Sequence, residues 1–80
     1  MAMSGEKRFK EPRRVTSRGI SDRLLHKPLM VYSGDYRHGR GRIVKINAEA
    51  KWLTIKIEGG NYYVEAPFRE LDLGLKLTGR

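Results

Sequence analysis

Lys51-Trp52-Leu53-Thr54-Ile55-Lys56-Ile57-Glu58 alternates with a period of two: Leu53, Ile55 and Ile57 fall on one face, Trp52, Thr54, Lys56 and Glu58 on the other. That is the pattern of a half-buried β-strand, and its neighbours extend it. Upstream, Ile43, Val44 and Ile46 enrich residues 42–47 in β-branched side chains, and downstream residues 62–66 are aromatic and β-branched. Asn47-Ala48-Glu49-Ala50 and Gly59-Gly60-Asn61 separate the three runs and suit tight hairpin loops. Residues 29–33 read as a first strand, and a short last one falls within 71–77 after a turn at Pro67. Five short strands with no helix-length periodic segment predict an all-β domain, a small antiparallel sheet curled into a partly closed barrel. Its expected core is Val31, Ile43, Ile46, Leu53, Ile55, Ile57, Tyr62, Val64, Phe68 and Leu71.

Outward from the strands the chain changes character. Residues 1–28 carry eight basic and three acidic side chains, a net +5, whereas residues 29–80 carry nine and six, a net +3. Large apolar residues are sparse before position 29, and a segment so charged buries too little surface to offset the entropy of ordering. Residues 1–18 therefore read as a disordered basic arm that the fold does not need. Residues 19–28 read as a linker or short helical turn with Ser21 or Asp22 as its cap, and 29–80 as the barrel.

The whole 80-residue chain holds 17 Lys+Arg against nine Asp+Glu, a formal net charge of +8. Such a balance points to a polyanionic partner, nucleic acid before an anionic membrane surface. The longest apolar run, Leu29-Met30-Val31-Tyr32, is far short of the ~20 residues a spanning helix needs. The N-terminal residues hold no signal-peptide core, so a cytoplasmic, non-membrane protein is expected. The absence of cysteine removes disulfides, thiolate nucleophiles and zinc fingers.

The segment Gly34-Asp-Tyr-Arg-His-Gly-Arg-Gly-Arg-Ile-Val-Lys-Ile-Asn47 resembles a KOW motif, in which a glycine-punctuated basic loop enters a strand of the form Gly-x-Val-x-x-Ile; here Gly41, Ile43 and Ile46 supply that strand. Trp52-Leu-Thr-Ile-Lys-Ile57, Tyr63-Val-Glu65 and Phe68-Arg-Glu-Leu71 are similar to the continuation of that motif in the KOW-containing, SH3-like barrels of ribosomal proteins and NusG-type transcription factors. The resemblance covers roughly residues 29–73. It departs from the family in spacing Gly39 and Gly41 one residue apart, with His38 where a glycine is usual. It implies a five-stranded SH3-like barrel acting on nucleic acid or within a ribonucleoprotein.

Candidate binding residues fall in three groups. Tyr36, Arg37, His38, Arg40, Arg42 and Lys45 lie in the basic loop, where Gly34, Gly39 and Gly41 would permit positive φ and close approach of a partner. Arginine forks suit phosphates, and their faces stack on bases. A solvated loop that only keeps the protein soluble is the plainer reading; the interleaved tyrosine and glycines favour contact. Trp52, Lys56 and Tyr63 share the outward parity of neighbouring strands and would make a base-stacking platform. A one-residue bulge would instead turn Trp52 into the core. Arg13, Arg14 and Arg18 supply arm cations that attract phosphates without sequence choice. The expected partner is single-stranded or structured RNA or DNA. The rival is an adaptor docking on an acidic protein surface of a transcription, translation or replication complex.

Catalysis finds no support. His26 and His38 lack a metal-ligand spacing, Asp35 with His38 places no nucleophile, and the glycines match neither a Walker loop nor a dinucleotide fingerprint. Glu65, Glu70 and Asp72 read as solvated or salt-bridged surface. No enzyme activity, metal or cofactor is expected.

Overall fold

The computed structural model describes residues 14–79, which form five antiparallel strands in one sheet. The strands are β1 (Pro28–Ser33), β2 (Tyr36–Asn47), β3 (Trp52–Ile57), β4 (Tyr62–Pro67) and β5 (Leu75–Gly79). Their order across the sheet is β4-β3-β2-β1-β5, so three hairpins form a meander and the last strand returns to the far side of β1. A 3-10 turn at Phe68–Asp72 makes that return possible. Two shorter 3-10 turns, Ser17–Gly19 and Asp22–Leu24, precede β1. Among the described residues no helix is long and apolar enough to cross a membrane.

Turn chemistry fixes the hairpins. Asn47 Oδ1 accepts the backbone N–H of Ala50 at 3.0 Å, and Lys51 takes a positive φ of 58° to re-enter β3. Asn61, at φ 54°, does the same before β4. The longest strand departs from expectation. The sequence predicts a basic loop over residues 36–41, yet they belong to β2 and pair with β1. The register slips by one residue between Val31 and Tyr32, leaving His38 as the extra residue of a bulge. Gly39 beside it holds φ 106°, a conformation that L side chains resist. Gly41 does not take the positive φ expected of it; it needs space. A Cβ there would stand 2.8 Å from the Lys56 carbonyl oxygen and 3.0 Å from Val31 Cγ2.

One face of the sheet is apolar. Leu29, Val31, Ile43, Leu53, Ile55, Ile57, Ala66, Leu71, Leu75 and Leu77 are buried, and Ile46, Val64 and Phe68 pack against them. Tyr62, expected in this core, lies at its rim, 37% exposed, because its position at the end of β4 extends past the packed layer. Leu29, Ala66, Leu75 and Leu77 join the core without having been expected there.

A single sheet cannot seal its own apolar face, and the segment before β1 covers it. Val15, Ile20, Leu24 and Leu25 pack on the cluster. Arg14 bridges to Thr78, Val15 N–H donates to Leu77 O at 2.8 Å, and Arg14 Nη2 donates to Leu71 O at 2.9 Å. Ser17 donates to Asp72 twice, from its N–H at 3.1 Å and its hydroxyl at 2.5 Å. The hydroxyl bond, then the N–H bond, holds the Asp72 carboxyl below its ordinary range. Residues 14–18 are therefore part of the domain, which corrects the reading of 1–18 as a disordered arm. Composition hid this because one half-buried valine and a set of directed hydrogen bonds do the anchoring. The rest of that arm, including Arg13, lies outside the described residues.

Candidate nucleic-acid interface

Antiparallel register places paired side chains on the same side of a sheet, so the face opposite the core can be read row by row. Arg37 pairs with Tyr32 and Tyr32 with Lys76. The next row is Arg40, Met30 and Thr78. Then Arg42 pairs with Lys56, and Lys56 with Tyr63. Past the slip between Ile43 and Lys45 come Lys45, Thr54 and Glu65, then Asn47, Trp52 and Pro67. Successive rows lie about 7 Å apart, two residues of strand. All of these side chains are exposed or half-exposed.

The face so assembled carries Arg37, Arg40, Arg42, Lys45, Lys56 and Lys76, against Glu58 and Glu65. Alternating parity in β3 does this: the pattern that sends Leu53, Ile55 and Ile57 inward sends Trp52, Thr54 and Lys56 outward. Trp52 is 41% exposed and Tyr63 58%, so both aromatics stand on this surface. Tyr32, Met30 and Lys76 share it and were not among the sequence candidates. Their signal was present, since Leu29 and Val31 alternate with Met30 and Tyr32, and Leu75 and Leu77 with Lys76.

Other candidates are drawn elsewhere. Arg42 makes the one ion pair among the described residues, with Glu58, and its Nη1 donates to His26 O at 3.2 Å. Its charge is partly balanced, and it ties the segment before β1 to the sheet. His38 sits off the outward face, its Nε2 2.7 Å from Ser33 Oγ and its Nδ1 2.7 Å from Tyr62 Oη. Both ring nitrogens are thus engaged inside the chain. Tyr36 stands edge-on to the same ring, centroids 4.9 Å apart at 78°. Tyr62 lies tilted to it at 5.8 Å. Desolvation, then the neighbouring Tyr36, raises the Tyr62 hydroxyl above its ordinary pKa.

This polar aromatic cluster and Trp52 mark opposite ends of β2. Tyr36 begins that strand and Asn47, the partner of Trp52, ends it; Tyr62 and Trp52 lie at opposite ends of the paired β3 and β4, roughly 17 Å apart, with opposite side-chain parity. The two cannot form one stacking site. Arg14 is spent on Leu71 O, while Arg18 is exposed on the first 3-10 turn.

Clefts open on the surface of the described residues. One, of about 420 Å³, is lined by Pro28, Leu29, Met30 and Arg40. Another, of about 410 Å³, lies between β4 and the ends of β1 and β5, lined among others by Ser33, Val64, Glu70 and Leu75. Among the described residues no group of three or more His, Asp or Glu side chains is placed to hold a metal ion. No family model, curated protein or solved structure matches the chain.

Proposed function

We propose that this chain is a small basic nucleic-acid-binding domain of the KOW-containing, SH3-like barrel kind, and that it binds through the outward face of its sheet. The observation that carries the reading is the register: it turns the dispersed candidates Arg37, Arg40, Lys45, Lys56, Trp52 and Tyr63, with Lys76, to the outward side of the sheet. The cations neutralise phosphates and release counterions, which gives affinity without sequence choice. Trp52 and Tyr63 offer faces to unpaired bases, which favours single-stranded or looped RNA or DNA over a plain duplex. The strand order, with β5 returning beside β1 after a 3-10 turn, supports the barrel assignment. The bulge and positive φ at Gly39 give the glycine-rich segment the role of bending β2, not of an open loop.

The test is a titration of labelled oligothymidylate and of a duplex at several salt concentrations. Replacing Arg37, Arg40 and Lys56 together by alanine is expected to lower the slope of log K against log salt by roughly 2, at about 0.7–0.9 for each phosphate left without its cation. The fold should persist, since these side chains are exposed or half-exposed. Unchanged affinity and slope would sink the interface; no polyanion binding by the parent chain would favour the protein adaptor.

A further inference from the structure

The outward face is not evenly charged. Between its Arg40 row and its Arg42 row the surface dips into the 420 Å³ cavity lined by Pro28, Leu29, Met30 and Arg40. We propose that this cavity is the seat of one unpaired nucleobase, held between the apolar Pro28–Met30 wall and the Arg40 guanidinium. The proposal rests on the nucleic-acid reading above and adds a subsite to it.

The chemistry of the walls selects the occupant. A base is a flat, largely apolar ring that belongs to a chain of negative charges. Pro28 and Met30 supply the apolar contact, Met30 with a polarizable sulfur suited to ring edges and faces. Arg40 is exposed at the mouth, where its plane can stack on the ring or its fork can take the adjoining phosphate. Arg37 lies one row beyond Arg40, so the phosphate on that side of the seated base meets a second cation. An apolar protein side chain would fill the cavity but would leave these charges unanswered. A base-paired duplex would not enter, because its bases are stacked and covered.

The experiment compares oligothymidylate with an abasic oligonucleotide of equal length, so that the two probes differ only in bases. The full chain should bind oligothymidylate more tightly. Met30→Ser should weaken that binding about five- to tenfold, leave the abasic probe unchanged and leave the salt slope unaltered, because it removes a stacking surface and no charge. Arg40→Lys keeps the charge and removes the planar stack, so it should move the same way even if Met30→Ser proves unstable in a thermal melt. Equal losses on both probes, or no loss with either variant, would overturn the cavity while leaving the face intact. A parent chain that binds neither probe would overturn both.

Discussion

Gly41→Val is expected to leave the domain unfolded or melting far below the parent. The position lies on the core side of β2, paired with Leu29 on one side and Ile57 on the other. A Cβ alone would stand 2.8 Å from a backbone oxygen, 3.0 Å from Val31 Cγ2 and 3.1 Å from Ile57 Cδ1. The first neighbour is main chain and cannot swing away, and valine adds two further methyls. Overpacking of this kind costs about 3 kcal/mol or more, a large share of the stability of so small a domain. Thermal denaturation of Gly41→Ala and Gly41→Val measures it. Gly39→Ala is a different probe, because open space surrounds that position and only its φ of 106° opposes the change. A Gly41→Val melt equal to the parent's would mean that β1, β2 and β3 do not approach as closely as the register requires.

Deleting residues 1–18 should destabilise the domain by more than deleting residues 1–13 does. The longer deletion removes the packing of Val15 and the hydrogen bonds of Arg14 and Val15 to Leu71 and Leu77. Together these contribute about 2–3 kcal/mol. It also removes Ser17 from Asp72, whose lowered pKa makes that interaction dependent on pH. A carboxylate held below its ordinary pKa stabilises above the ordinary value, and the contribution fades as pH falls through the lowered one. The gap between parent and deletion should therefore narrow below about pH 4. Equal melts for the two deletions, at neutral pH, would mean that residues 14–18 do not hold the sheet.

A period-two pattern reports side-chain parity, and so the sequence alone places Leu53, Ile55 and Ile57 inward, Lys56 outward, and the turns on either side of β3 near their positions. It does not report a bulge. Slips at His38 and near Val44 change which residues share a face, so the segment from Tyr36 to Lys45 reads as one basic patch although the structure splits it. Arg37 and Arg40 go to the outward face; Tyr36 and His38 go to the rim with Tyr62. Trp52 is open between core and surface in the sequence because parity and size argue oppositely; pairing with Asn47 and Pro67 turns it outward. The anchoring of residues 14–18 is illegible for another reason. Ser17–Asp72 and Arg14–Leu71 join positions 55 and 57 residues apart, a relation that no local pattern carries.

Amide shifts of the isotope-labelled chain, followed as oligothymidylate is added, test most directly whether the outward face of the sheet is where polyanion meets protein. The predicted result is a set of perturbations across neighbouring strands at Met30, Arg37, Arg40, Lys56, Tyr63 and Lys76, with the His38–Tyr62 cluster and the 3-10 turn at Phe68–Asp72 little changed. Perturbations confined to the cleft of Ser33, Val64 and Glu70, or none at all, would contradict it.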